Sequence, residues 1–304
     1  MTDTTANAAA RYEDDADDPT DLDAGSWWAV LKRTWKESSR DNVSLISAGV
    51  AFYAFLAFVP LLAALVLTYG LVADPASVAG HIQGLTRAMP ADAASIIGDQ
   101  LESMTQTAAG KKGLGLALAI LLALYGAMRG ATSIVTALNI AYNVEEDRGF
   151  IKTTLLSALM TVGALVAMLI ALLAVSVLTS VEALLPFSSP VVHVALKILF
   201  WVAAAAAVSL LIALIYRYAP NRPSPKWAWL SPGSIGATLV WLAATVGFGF
   251  YVANFGNYNA TYGSLGAVIV FLTWLYLTSY ILLMGGELNS ELEKQKQKRD
   301  SLSA

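Results

Sequence analysis

The chain contains no cysteine and only two histidines, His81 and His193. The absence of thiols excludes disulfide bonds, thiolate zinc sites, cysteine-ligated iron–sulfur clusters and cysteine nucleophiles. The two histidines do not stand in a metal-binding pattern such as HExxH. The sequence therefore argues against zinc-dependent or triad hydrolysis, and it predicts a protein with no catalytic residues, no metal site and no cofactor.

Charged residues are also scarce, at 13% of the chain, whereas apolar residues make up 57% and the mean hydropathy is +0.59. Soluble domains average about 25% charged residues. Most of the apolar residues lie in six stretches, each long enough for a helix to cross a hydrocarbon core about 30 Å thick. The stretches cover residues 43–72, 113–141, 153–181, 191–218, 232–255 and 264–286.

These stretches do not show the alternation of apolar and polar residues that marks the strands of a membrane barrel. Backbone polar groups in lipid must then be satisfied within helices, because no water is present to bind them. The predicted fold is all-α: a polytopic membrane protein with a bundle of six transmembrane helices.

Shorter amphipathic helices are predicted outside the spans. Before the first span, Trp28, Leu31 and Trp35 recur at near-helical spacing, and lysine and arginine residues take the other faces. This pattern is typical of an interfacial helix at headgroup depth. Residues 74–112 form the longest connection between spans, and we expect two short amphipathic helices there, at the outer mouth of the bundle.

The first 26 residues are predicted to form an acidic, disordered segment. Residues 1–23 contain eight acidic side chains and one arginine, with no apolar core to fold around. Without them the chain has 18 basic and 14 acidic residues, although its formal net charge is −3. We expect three parts: this segment (1–26), a six-span transmembrane domain (27–293) and a basic C-terminal tail (294–304).

Basic residues near the span ends are unequally divided between the two sides of the membrane. Thirteen lie on the side that holds both termini: Lys32, Arg33, Lys36, Arg40, Arg148, Lys152, Arg217, Arg222, Lys226, Lys294, Lys296, Lys298 and Arg299. Four lie on the other side: Arg87, Lys111, Lys112 and Lys197. Because loops rich in lysine and arginine stay in the cytoplasm, we expect a multi-pass protein with both termini cytoplasmic.

Arg129 is a candidate residue for a solute path. It lies past the middle of the second span, where a guanidinium costs about 2.5 to 3.5 kcal/mol on insertion scales. We therefore expect it to face protein, water or an acidic partner. Glu287, at the inner end of the sixth span, is a further candidate for the path: its carboxylate could pair with Arg129, accept a proton or simply contact water. The alternative is an arginine that snorkels towards the interface and only supports the fold. Gly126 and Gly130 flank Arg129 and predict the close approach of another helix.

The first span contributes two further candidates. Pro60 removes one helical hydrogen bond and predicts a kink, and kinks can open cavities. Tyr53 lies about two turns before it and adds a polar atom to the same helix. Kinks are also ordinary packing devices in membrane helices, so the proline alone does not distinguish a path from a packed core.

The turn between the fifth and sixth spans is polar and interrupted by glycine. It covers residues 254–264 and contains Asn257, Tyr258 and Tyr262. We expect this segment to fold back against the outer mouth, where it can line a water-filled cavity and offer neutral hydrogen bonds to a solute. An exposed loop with an interfacial tyrosine is the alternative.

Four strings carry a resemblance to a known family: FYAFLAFVPLLA from residue 52, ALNIAYNVEEDRGF from 137, YRYAPN from 216, and NYNATYGSLGAVIVFLTWLYLTSYILLMGGELN from 257. Over residues 28–293 the chain resembles the YihY/BrkB family of bacterial inner-membrane proteins. The resemblance implies a six-span bundle in the bacterial plasma membrane and no established molecular activity. Some members carry the name ribonuclease BN, and others are called serum-resistance or virulence factors.

Carried over position by position, the family pattern falls on Tyr53, Pro60, Asn139, Tyr142, Arg148, Pro220, Tyr258, Tyr262, Gly263, Gly286, Glu287 and Asn289. Asn139 joins the candidate path residues on this ground. The chain departs from the pattern at Tyr125, where the family leads us to expect tryptophan.

Permease-like or channel-like handling of a small polar solute or lipid is the leading functional hypothesis, with membrane lipids and that solute as partners. A non-catalytic role in envelope integrity or virulence is the alternative. A ribonuclease is least favoured, and no nucleic-acid partner is expected, because the chain lacks a metal-binding cluster and a basic groove interleaved with aromatic residues. The sequence leaves homo-oligomer formation open.

Overall fold

The computed structural model describes residues 24–69, 114–184, 190–222, 231–255 and 265–303. Within these ranges the chain forms helices and no strand, so the all-α prediction is confirmed. The helices are α1 (Ala24–Arg40), α2 (Val43–Tyr69), α3 (Leu114–Ala141), α4 (Phe150–Leu184), α5 (Pro190–Tyr218), α6 (Pro232–Phe255) and α7 (Leu265–Ser303).

Helices α2 to α7 each contain a segment long and apolar enough to cross a membrane, and these segments match the six predicted stretches. Large apolar side chains on their outer faces are exposed, among them Leu122, Trp201 and Val246. Contiguous apolar surface of this kind belongs in contact with lipid or protein rather than water. The chain is therefore a membrane protein, and its described residues form a bundle of six membrane-spanning helices.

Helix α7 is the central element of the bundle and packs against α1, α2, α3 and α6. Helix α3 packs closely against α2 and also contacts α4, whereas α5 packs against α6. A buried cluster at one end of the bundle contains Val43, Leu138, Tyr216 and Leu283, drawn from four of these helices.

The predicted close helix approach around Arg129 is confirmed. A Cβ atom on Gly126 would lie 3.1 Å from the side chain of Pro60, and a Cβ on Gly130 would lie 3.0 Å from the Cβ of Ala57. Helix α2 continues through Pro60 to Tyr69. The glycine face of α3 thus packs directly on the proline-containing face of α2.

Both ends of the described chain lie at the same end of the bundle, which we call the terminal end. Arg33 of α1 pairs with Glu291 of α7, with 3.1 Å between Arg33 Nε and Glu291 Oε2. Helix α1 buries Val30 and Thr34, while Trp28 and Trp35 are each 65% exposed. Helix α7 continues past its span to Ser303, so residues 294–303 are helical.

Some predicted features lie outside the described residues. They are the acidic segment before Ala24, the two outer helices expected in residues 74–112, and the polar turn after Phe255, which includes Asn257, Tyr258 and Tyr262. Residues 24–26, which the prediction assigned to the acidic segment, are helical in α1, and residues 254–255, which it assigned to the turn, are helical in α6.

Candidate functional site at the terminal end

Two consecutive glycines in α7 allow helices to meet closely at the terminal end. A Cβ on Gly285 would lie 2.8 Å from the carbonyl oxygen of Gly233 in α6. A Cβ on Gly286 would lie 3.0 Å from Leu138 Cδ2 of α3 and 3.6 Å from Tyr142 Cε2. The Gly-Gly pair of the GGELN string therefore serves helix contact on two faces of α7.

The Tyr216 side chain of α5 fills the space beside these glycines. It is almost fully buried, and its hydroxyl donates a 2.6 Å hydrogen bond to the carbonyl oxygen of Leu282. A buried tyrosine hydroxyl needs such a partner. This bond fixes the end of α5 against α7.

Asn289 joins α7 to the start of α6. Its Oδ1 accepts a 2.8 Å hydrogen bond from the Gly233 backbone N–H, and its Nδ2 donates at 2.9 Å to Ser231 Oγ. Ser231 and Ser234 also bond each other's backbone N–H groups, at 3.1 and 3.2 Å. The otherwise unpaired N–H groups at the beginning of α6 are thus capped partly from another helix.

The connection between α3 and α4 is tied to the end of α5 by a polar network. Arg148 donates to both carboxylate oxygens of Glu146, at 2.7 and 2.5 Å, and to the carbonyl oxygen of Ala219 at 2.8 Å. Asn139 donates to Glu146 at 2.8 Å and accepts at 2.7 Å from the Asn221 backbone N–H. The Arg148 side chain, with Asn139, lowers the pKa of Glu146 to about 2.

Arg222 connects this network to α7. Its guanidinium lies 4.2 Å from the centroid of the Tyr142 ring, and it donates to Glu293 at 2.5 Å and to the Tyr216 carbonyl oxygen at 2.7 Å. The contact with the ring is a cation–π interaction. Burial raises the pKa of the Tyr142 hydroxyl, which remains neutral.

Glu287 and Asp41 form the least satisfied part of the terminal end. Glu287 has 0% of its surface exposed, and neither carboxylate oxygen has a hydrogen-bond partner among the described residues. Asp41, in the turn between α1 and α2, lies within hydrogen-bonding reach of it. Burial and the nearby Glu37 raise the pKa of Asp41, against the opposing effect of Arg40 and Lys294 and of its contact with Glu287.

The neighbouring acid Glu291 is paired. Besides Arg33, it accepts a 2.8 Å hydrogen bond from Lys294 Nζ. Within the part of the chain that the structure describes, no group of three or more histidine, aspartate or glutamate side chains is arranged to hold a metal ion. The described part of the terminal end thus places the fully buried Glu287 beside the half-buried Asp41, next to ion pairs that are already complete.

The structure separates the candidate path residues predicted from the sequence. Asn139 and Glu287 lie at the terminal end, whereas Pro60 is in the contact between α2 and α3. Tyr53 and Arg129 lie on exposed faces of those two helices. Arg129 does not pair with Glu287, and none of the described residues gives it a hydrogen bond or an ion pair.

A shallow groove of about 410 Å³ opens on the side of the bundle. One of the helices that line it is α3, which also carries Arg129. The lining of the groove comes from α3 and α4 and includes Tyr125, Met128, Ile151 and Leu155. The lining is apolar, so this groove offers no specific polar contacts to a solute.

Residues 34–304 match the family model described as virulence factor BrkB, which covers most of the chain. The chain belongs to the BrkB family. Three of the strings that resembled this family, around Asn139, Tyr216 and Gly286, meet in the structure at the terminal end, although they lie far apart in the sequence.

Several curated relatives are similar to this BrkB-family chain. A putative ribonuclease-like protein YfkH of Bacillus subtilis is 36% identical over 262 residues, covering 84% of this chain and 91% of that protein. A UPF0761 membrane protein of Tolumonas auensis is 35% identical over 81 residues, or 27% of this chain and 26% of its own length. Another from Alkalilimnicola ehrlichii is 40% identical over 86 residues, or 28% and 19%. No solved structure matches the chain.

Sequence reasoning missed Asp41, Asn221 and Arg222. The EEDRGF and YRYAPN strings carried a signal for the polar network, because charged and polar residues crowd there between apolar spans. Asp41 gave a weaker signal: it is a single acid between a basic helix and the first span. Its partner could not be read from the sequence, since Glu287 lies near the other end of the chain.

Proposed function

We propose that this BrkB-family chain is a permease-like protein of a bacterial inner membrane that moves a small polar solute or a lipid, and that its terminal end faces the cytoplasm. One observation carries this proposal: Glu287 is completely buried within the sixth candidate span and has no donor among the described residues. Ionisable residues inside membrane spans are expensive, and they mark substrate or ion pathways and proton relays. A purely structural helix would gain stability from an apolar residue at this position.

The polar residues at the terminal end differ in how completely they are hydrogen-bonded, and this difference supports the same proposal. Asn139, Arg148 and Asn289 are fully engaged in holding helix ends together, so we assign them to the framework. Glu287 and Asp41 are held beside this framework and remain unsatisfied. Basic residues of the terminal end, such as Arg33, Arg148 and Arg222, support its placement in the cytoplasm.

We propose further that the chain is not an enzyme. The name of the Bacillus subtilis relative suggests a ribonuclease, a chemistry that usually relies on metal ions, histidines or general acid–base pairs with access to RNA. Among the described residues the unsatisfied Glu287 is fully buried, and no group of three or more histidine, aspartate or glutamate side chains is arranged to hold a metal ion. Purified protein should therefore leave RNA intact, with or without added divalent cations.

Flux through proteoliposomes tests the proposal. The purified protein is reconstituted and a panel of labelled polar solutes and fluorescent lipids is screened. Glu287→Gln should lower flux at least about tenfold while folded yield stays unchanged, because the substitution removes a titratable group and keeps its shape. Glu145→Gln is the matched control, since Glu145 is an exposed acid at the same end. No flux of any solute or lipid would overturn the proposal in favour of an envelope-supporting role, and equal flux in both variants would remove Glu287 from the path.

A further inference from the structure

The carboxyl groups of Asp41 and Glu287 meet where the turn between α1 and α2 packs against α7. Neither oxygen of Glu287 has a hydrogen-bond donor among the described residues, and Asp41 Oδ2 is likewise buried without one. Ionised carboxylates only accept hydrogen bonds, so two of them in contact cannot satisfy each other. If one of them keeps a proton, the pair gains a strong hydrogen bond and loses one buried charge.

The charged groups that face this pair do not neutralise it. They are Glu37 and Arg40 on α1 and Glu291 and Lys294 on α7. The neutral, titratable Tyr142, directly after α3, also faces the pair. Lys294 is bonded to Glu291, and Arg40 pairs with Glu37 at 3.5 Å. Each cation named here is therefore matched by another acid, and two unmatched negative charges would remain if both Asp41 and Glu287 were ionised.

The Tyr142 hydroxyl is a second unsatisfied polar group at this place. The residue is only 7% exposed, its hydroxyl has no hydrogen-bond partner among the described residues, and it lies within the electrostatic influence of Glu287. Asn289 is close to it, but the Asn289 amide is engaged with Gly233 and Ser231. A buried hydroxyl without a partner beside two acids is suited to a site whose protonation changes.

We propose that Asp41 and Glu287 bind a single proton between them, and that this proton is the ion coupled to transport. The second half of this proposal rests on the proposed function, whereas the first half does not. A proton fits the site better than a metal cation because calcium and magnesium require six or more oxygen ligands. The pair offers two carboxyl groups, and Glu291 is already occupied by Arg33 and Lys294.

The proton also acts on the packing of the bundle. While it is bound, the carboxyl–carboxyl hydrogen bond joins the α1–α2 turn to α7. When it leaves to water at the terminal end, the negative charges of the fully buried Glu287 and the half-buried Asp41 repel each other and favour separation of the turn from α7. The pKa of Asp41 is raised by burial, in agreement with this direction. The contact is therefore strongest at low pH and weakens as pH rises through the raised pKa.

Infrared difference spectroscopy on the purified, detergent-solubilised protein tests proton binding directly, without a transport assay. Protonated carboxyl groups give a C=O band that ionised ones lack. The wild type should show a band that grows as pH falls and that titrates above the ordinary range of a carboxyl group, because burial favours the neutral form. Glu287→Gln should abolish the band and Glu145→Gln should leave it unchanged. In Asp41→Asn the midpoint should fall by about one pH unit, because the neighbouring like charge is gone.

Each alternative result has a definite meaning. A wild-type protein without a titrating band, or a band that survives in Glu287→Gln, overturns the proposal. If Glu287→Gln fails to fold, an unchanged midpoint in Asp41→Asn overturns it as well. A band displaced by millimolar calcium or sodium as strongly as by a pH change would show that the site takes a metal cation instead. Solute flux without a titrating band would refute proton binding alone, whereas a titrating band without flux would refute the proposed function alone.

Discussion

Gly233 of α6 and Gly285 of α7 bring two helix backbones into direct contact, and a Cβ on Gly285 would lie 2.8 Å from the Gly233 carbonyl oxygen. The same Cβ would lie 2.9 Å from the Cβ of Ala237. These neighbours are backbone and short side-chain atoms, which cannot rotate away. The α6–α7 contact therefore depends on the absence of a side chain at position 285.

Gly285→Ala should destabilise the protein by about 2 kcal/mol or more, because α6 must move away from α7 to make room. The measurement is thermal unfolding of the detergent-purified protein. Gly163→Ala is the control, since a Cβ at that position of α4 meets nothing within 4 Å. There the substitution should be neutral or stabilising by up to about 1 kcal/mol. Equal stability of the two variants would show that the helices do not approach as described.

The stability of the folded protein should depend on the ring of Tyr142 and not on its hydroxyl. Tyr142→Phe keeps the cation–π contact with Arg222 and removes a buried hydroxyl that has no partner among the described residues, so stability should change by no more than about 0.5 kcal/mol. Tyr142→Leu loses the ring face and should cost at least about 1 kcal/mol. Thermal unfolding of both variants measures the difference. A large loss in Tyr142→Phe would mean that the hydroxyl has a partner.

The ion pair of Glu146 and Arg148 should make stability depend on acid pH. The pKa of Glu146 is lowered to about 2 in the folded protein, mainly by its hydrogen bonds with Arg148. A depressed pKa gives a contribution that is present above the ordinary glutamate value and lost as pH falls towards about 2. Wild type should therefore be more stable than Glu146→Gln near neutral pH, and the difference should shrink below about pH 4. The exposed Glu145→Gln should show a much smaller difference, and a constant gap for Glu146→Gln at all pH values would contradict the assignment.

Cysteine labelling can determine which side of the membrane holds the terminal end, because the native chain has no cysteine. Glu145→Cys places a thiol at the terminal end, and Leu114→Cys places one at the opposite end of α3, where the side chain is exposed. In intact spheroplasts an impermeant reagent should label Leu114→Cys only. After permeabilisation it should label both variants. The reverse pattern would place both termini outside the cytoplasm.

The sequence alone determined the class of fold and the six spans that the described residues form. Length and continuous hydrophobicity are local properties, and lipid leaves the backbone few alternatives to a helix. The small residues Gly126 and Gly130 likewise predicted a close helix contact, since only glycine and other small residues permit one. These features required no knowledge of which helices are neighbours.

The tertiary structure decided which polar groups meet. Glu287 was a candidate partner for Arg129, but it lies beside Asp41. Asp41 and Glu287 are near opposite ends of the sequence. Asn139, a candidate path residue, bonds the Glu146 side chain and the Asn221 backbone. Apolar helices tolerate many arrangements of comparable hydrophobicity, so hydropathy cannot select their neighbours. The choice depends on side-chain packing, such as Tyr216 beside Gly285, and that packing brings Asp41 and Glu287 together only in the folded chain.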